Sequence, residues 1–221
     1  MFNHVDMQAL PELECETLPT GRTYVTPEGN KYPSITTVLG HFGKEAIQAW
    51  RKKVGEEVAN KISTQAAGRG TAVHTLAENY LNNEEDWSKG AMPSNIFSFN
   101  QIKPILDERV DNIWAQEVPL YSDKFMIAGR VDCIAEYNGK LSIIDFKTST
   151  KSRNDDWNYN YYVQASAYAE MYEERMGPPI EQIVILVVTD DGTVQEFVKK
   201  KEQMYLDTLT ETLDIFHQRM L

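Results

Sequence analysis

The stretch that decides the fold is Gly129-Arg130-Val131-Asp132-Cys133-Ile134-Ala135-Glu136-Tyr137-Asn138-Gly139-Lys140-Leu141-Ser142-Ile143-Ile144-Asp145-Phe146-Lys147. Two apolar, β-branched runs flank Asn138-Gly139, the dipeptide best suited to a two-residue hairpin turn, so the spacing predicts two antiparallel strands. Asp132 falls early in the first strand and Asp145 late in the second, and the hairpin brings the two carboxylates together. Lys147, two residues on, shares the face of Asp145. Two acids held close are costly unless a metal, a shared proton or a cation joins them. The plainer account of the triplet Asp145-Phe146-Lys147 is a salt bridge from Lys147 to one aspartate; the fuller one is a divalent-metal site with a cation beside it.

Outward from the hairpin, residues 112–121 alternate as a preceding strand with Glu117 in its middle. The run Ile183-Val184-Ile185-Leu186-Val187-Val188 predicts a strand covered on both faces, and Thr193 to Val198 a fifth strand. Between them Trp157 to Met176 is helical, closed by Gly177-Pro178-Pro179, with Gln164 and Tyr168 on one face. Residues 44–66 carry Ile47, Trp50, Val54, Val58 and Ile62 at helical spacing. A second helix is expected after Gly68-Arg69-Gly70-Thr71, capped by Thr71, with His74 beside the stripe Val73, Leu76, Ala77, Tyr80 and Leu81. A helix from about Ile96 to Val110 is expected to bend at Pro104, and a last helix, about Lys201 to Met220, to pack through Met204, Leu206, Leu209, Leu213, Ile215 and Phe216. Towards the N-terminus, Pro27-Glu28-Gly29-Asn30 predicts a small hairpin. Ser34 caps a short helix stopped by Gly40, whose N-terminus could also receive a phosphate. Residues 1–20 have no clear period, so 1–22 are taken as an arm and 23–221 as one mixed α/β domain.

Composition narrows the function classes. With 42% hydrophobic and 25% charged residues the chain suits a globular domain. Cys15 and Cys133 lie far apart, which argues against a disulfide framework, a four-cysteine zinc site or an iron–sulfur cluster, and favours a reducing cytosol. No apolar run approaches a membrane span and the N-terminus lacks a basic leader, so a soluble, cytoplasmic protein without a membrane partner is expected. The net charge of −11 is unusual for a nucleic-acid partner, although a metal site itself contributes acids.

Four segments, Gly70-Thr71-Ala72-Val73-His74, Gly129-Arg130-Val131-Asp132, Asp145-Phe146-Lys147 and Gln164-Ala165-Ser166-Ala167-Tyr168, together resemble the RecB-like branch of the PD-(D/E)XK nucleases. Within it, Tyr32-Pro33-Ser34-Ile35-Thr36-Thr37-Val38-Leu39 is similar to the start of the mitochondrial genome maintenance exonucleases and their phage and bacterial relatives. The resemblance implies a single restriction-endonuclease-like α/β domain, with a central mixed sheet of four to five strands flanked by helices. It implies that His74, Asp132, Asp145 and the carbonyl of Phe146 bind the metal, that Lys147 orients or activates water, and that Gln164 and Tyr168 hold the strand. Glu117 has a place where relatives often carry an acid, as an outer partner of the metal or a surface glutamate. Oxygen ligands suit Mg²⁺ and an added imidazole suits Mn²⁺.

The aromatics Trp157, Tyr159, Tyr161 and Tyr162 beside Lys151 and Arg153 suggest base stacking next to backbone cations. Candidate DNA contacts are Ser34, Thr36, Arg69, Thr71, Arg130, Lys151, Arg153 and Tyr161. The expected activity is a metal-dependent DNA exonuclease on single-stranded ends, in replication, repair or recombination. A nuclease fold that binds without cutting and a structure-specific endonuclease are the alternatives.

Overall fold

The computed structural model describes residues 1–6 and 10–220; residues 7–9 of the expected arm and the last residue, 221, lie outside the described residues. The hairpin forms as predicted. Strands β5 (Ile127–Tyr137) and β6 (Lys140–Ser149) meet at Tyr137↔Lys140, and both turn residues, Asn138 (φ 51°) and Gly139 (φ 74°), are left-handed, as a type I′ turn requires. Asp132 sits mid-strand rather than early, because β5 starts at Ile127 and its first half pairs with β4 (Val110–Ser122), Ser122↔Ile127. Strand β7 (Gln182–Thr189) lies parallel to β6, and β8 (Val194–Lys200) antiparallel to β7. The result is a mixed five-stranded sheet in the order β4-β5-β6-β7-β8. Every residue of β7 is buried, which accounts for its unbroken apolar run.

Helices cover both faces. On one, α1 (Ile35–His41), α5 (Tyr159–Met176) and α6 (Gln203–Met220) pack Val38, Val163, Ala167 and Leu209 onto Ile143 and Ile185. On the other, α3 (Glu56–Leu81) and α4 (Pro93–Arg109) pack Val73, Leu76, Phe99 and Ile102 onto Ile144 and Val184. The alternation of Ile143 and Ile144 between the two cores is the period of a strand with both faces covered. The crossover through α5 is what permits β6 and β7 to run parallel.

Several expectations change. The helix break falls at Gly55 (φ 88°), between α2 (Lys44–Val54) and α3, and α3 runs unbroken through Gly68-Arg69-Gly70-Thr71. Thr71 is therefore a mid-helix residue, not a cap. Each glycine costs a helix about 1 kcal/mol, but Val73, Leu76, Ala77 and Leu81 fasten the helix on the sheet strongly enough to carry them. The expected buried stripe on residues 44–66 is largely outside: Ile47, Val58 and Ile62 are 53%, 50% and 44% exposed. On α6, Tyr205 is buried whereas Met204 and Ile215 are exposed. Helix α4 begins earlier, with Pro93 in its first turn, and continues through Pro104 to Arg109. In the expected arm, β1 (Glu14–Leu18) pairs with β2 (Gly21–Val25), which pairs with β3 (Lys31–Pro33). Every β1 side chain is exposed, so nothing in its sequence had to alternate.

Candidate active site

The site lies where β5 and β6 part. Their ladder runs from Tyr137↔Lys140 to Cys133↔Ile144, and beyond it the Phe146 N–H donates to Asp132 Oδ2 at 2.9 Å instead of to backbone. On the other side, Gln116↔Cys133 and Val118↔Val131 set Glu117 opposite Asp132. Three adjacent strands thus contribute Glu117, Asp132 and Asp145, and α3 adds His74. Glu117 has φ 47°, a conformation that costs a non-glycine residue of order 1 kcal/mol. Its carbonyl accepts from the Arg130 guanidinium, which holds the strained peptide.

The imidazole of His74 donates through Nε2 to the Phe146 carbonyl at 2.6 Å, which turns Nδ1 to the acids, 3.4 Å from Asp132 Oδ1 and 4.0 Å from Glu117 Oε1. Ligand atoms of His74, Glu117 and Asp132 all lie within 4.8 Å of one another. Asp145 stands beside this group and is bound by Lys147, Nζ to Oδ2 2.6 Å. Burial, then the neighbouring Asp145, push the Asp132 carboxyl up to about 7, and burial raises Glu117 as well. Two crowded carboxyl groups and an imidazole nitrogen facing one point match the donor set of a divalent cation. The Phe146 carbonyl acts on His74, fixing the ring that presents the nitrogen.

Burial opposes the charge on Lys147, but Asp145 and Asp132 outweigh it and hold its pKa above the ordinary lysine value. Its ammonium lies 4.9 Å from the centre of the Tyr161 ring, with Arg153 at 5.1 Å from the same ring. Gln164 Nε2 donates to the Tyr168 hydroxyl at 3.1 Å, and burial keeps that hydroxyl protonated. A Cβ on Gly129 would come within 2.7 Å of Tyr168 Cε1, so the glycine of Gly129-Arg130-Val131-Asp132 is what lets the ring lie on β5. Thr36, Lys147, Asn160, Tyr161 and Gln164 line an open groove of about 430 Å³.

The remaining candidates are scattered. Ser34 is buried and occupied as the α1 cap, its Oγ accepting from Thr37 N at 3.1 Å. Arg130 is held by the Glu117 carbonyl and by Glu12. Arg153 donates to Asn158 Oδ1 and the Trp157 carbonyl, both at 2.6 Å. Arg69 is paired with Asp190. Lys151 and Thr71 are exposed. The sequence treated Glu117 as an outer partner at best, because its left-handed backbone leaves no trace in residue type; Asp190 and Asn160 carried no signal beyond a turn and a helix start.

A family model described as PD-(D/E)XK nuclease superfamily matches residues 44–220. The chain belongs to the PD-(D/E)XK nuclease superfamily. Among curated proteins, this nuclease-fold chain is 26% identical over 175 residues to mitochondrial genome maintenance exonuclease 1 of Mus musculus, covering 74% of this chain and 52% of that protein. The Homo sapiens protein of the same name is 24% identical, over 66% and 50%. The chain therefore spans about half the length of the curated relatives it matches. A solved structure from Eubacterium rectale gives a TM-score of 0.45 at 16% identity, covering 70% of this chain and 65% of that one. Among the described residues no helix is long and apolar enough to cross a membrane.

Proposed function

We propose that this PD-(D/E)XK protein is a metal-dependent DNA exonuclease that hydrolyses phosphodiester bonds at single-stranded ends, in DNA replication, repair or recombination. The observation that carries this reading is the convergence of His74, Glu117 and Asp132, with the Asp145–Lys147 pair alongside. His74 Nδ1 and the carboxylates of Glu117 and Asp132, with Asp145 adjacent, are the groups that would hold the cation. Their mixture of hard oxygens and one imidazole suits Mg²⁺ or Mn²⁺. A cation bound there supplies Lewis-acid stabilisation of the charge that builds on a phosphoryl group.

The chain's own residues do the rest. Lys147, kept as an ammonium by Asp145 and Asp132, offsets phosphate charge and donates to a phosphate oxygen. The Phe146 carbonyl fixes the His74 tautomer, and the Phe146 N–H fixes Asp132. Gln164, oriented by Tyr168, faces the groove with Lys147 and Tyr161. A groove that carries the Tyr161 ring beside the Lys147 ammonium favours an unpaired strand, whose bases are free to stack. The relatives' name, mitochondrial genome maintenance exonuclease 1, supports DNA ends as substrate.

End-labelled single-stranded, double-stranded and circular DNA compared with Mg²⁺, Mn²⁺ and EDTA test the proposal. Linear single strands should be shortened only with metal, and Lys147→Ala should abolish cleavage while the protein still melts cooperatively. Cleavage of circles would replace the exonuclease reading with an endonuclease; binding without cleavage in either metal would leave a non-cutting module.

A further inference from the structure

A second groove system begins where the catalytic strand ends. Strands β6 and β7 are parallel in the register Lys147↔Val187 and Ser149↔Thr189, so Thr150 and Asp190 emerge side by side at their carboxyl ends. Thr150 is three residues beyond Lys147, about 10 Å along a strand. The carboxyl edge of parallel strands is where α/β sheets characteristically receive ligands. Two cavities meet there, of about 590 and 450 Å³, and both are walled by Gln65, Arg69 and Asp190.

Arg69 and Asp190 form an ion pair at the junction. The arginine is poorly satisfied: its Nε is buried with no hydrogen-bond partner among the described residues, and burial lowers its pKa. Asp190 is half exposed, on a turn that does not need its side chain. The turn is tied instead by Asp191, which accepts from Thr193 N at 3.0 Å and from the Thr189 hydroxyl. In the larger cavity Phe97 is 51% exposed, and one part of its ring is backed by Gly192, where a Cβ would stand 3.0 Å from the ring. An arginine held by one replaceable carboxylate and a supported, open aromatic ring are the two elements of a single-strand contact.

Arg69 precedes His74 by five residues on α3, about 7.5 Å of helix rise, so the same helix serves both the groove and the acidic site. We propose that this groove is a second nucleic-acid subsite, in which a backbone phosphate takes the place of Asp190 on Arg69 and an unstacked base lies on Phe97. The proposal rests on the nuclease reading above and extends it: Asp190 occupies Arg69 when no strand is bound and sets how tightly one is held.

The test is fluorescence anisotropy of a labelled single-stranded oligonucleotide in EDTA, where binding proceeds without cleavage, over a range of salt. Asp190→Asn should bind several-fold tighter, Arg69→Gln several-fold weaker with a salt slope smaller by about 0.7, and the double variant should behave as Arg69→Gln. Asp190→Asn binding no tighter than the unaltered chain overturns the proposal, as does an unchanged affinity in Arg69→Gln; the pair is then a structural tie. Should Arg69→Gln fail to fold, Asp190→Asn alone decides. Failure of the nuclease reading is seen separately, as absence of cleavage by the unaltered chain in Mg²⁺ or Mn²⁺.

Discussion

Glu117 carries two costs at once: a left-handed backbone and a half-buried carboxylate crowded by Asp132 and Asp145. A residue kept under such strain is characteristic of a site whose geometry is set by what it binds. Glu117→Gln removes the second cost and leaves the first. Without metal the variant should melt higher, by about 2–4 °C if the relief is about 1 kcal/mol. The increase in melting temperature produced by Mn²⁺ should shrink in the same variant. Thermal scans with EDTA and with Mn²⁺ check both. A variant that melts lower in EDTA and keeps the full Mn²⁺ response would remove Glu117 from the cation-holding group. The same residue marks the limit of sequence reasoning: an acid in a strand pattern is ordinary, and only coordinates reveal that its peptide is turned.

At the level of elements, the closest fit between sequence and structure is the seat of α5 on β5. Gly129 lies under Tyr168 with Ile35 at its other side, where an added Cβ would stand 2.7 Å from Tyr168 Cε1 and 3.2 Å from Ile35 Cγ2. Both neighbours are buried and have little room to yield. Gly129→Ala should cost about 1–3 kcal/mol, read by denaturant unfolding, and the loss should be smaller in a Tyr168→Ala background, where the ring is gone. Equal losses in both backgrounds would place the strain elsewhere. The elements that could be read from sequence have a local physical signature. Asn138-Gly139 permits two left-handed residues in succession, and β7 is apolar from Ile183 to Val188 because helices cover both of its faces. Those misread lack one. Gly68 and Gly70 look like a helix break by propensity, yet α3 passes through them because tertiary packing holds it; β1 is exposed along its whole length and shows no pattern; Ile47, Val58 and Ile62 keep helical spacing but face outward. Periodicity reports that a helix has an apolar side, not what that side meets.

For the whole molecule, the arrangement of the acids fixes how stability depends on pH. Asp132 titrates near 7 in the folded chain against an ordinary 3.8, and Glu117 is also raised, so the folded state binds more protons than the unfolded one between those values. Stability must then fall as pH rises through that window. Carboxyls shifted the other way, Asp123 by Arg175 and Asp155 by Lys199, contribute stability that is lost only as pH falls below the ordinary carboxyl range. Lys147 stays charged throughout. In EDTA the melting temperature should therefore decline from pH 5 to pH 8. The net charge of −11 adds a repulsion of the same sign, which Asp132→Asn separates: the variant should lose much of the decline, whereas diffuse repulsion would leave it nearly intact. With saturating Mn²⁺ the order should reverse, because the ligands must shed protons to hold the ion and the stabilisation grows with pH. A melting temperature that climbs with pH in EDTA would mean that the acids are not forced together, and the cation site would lose its physical basis.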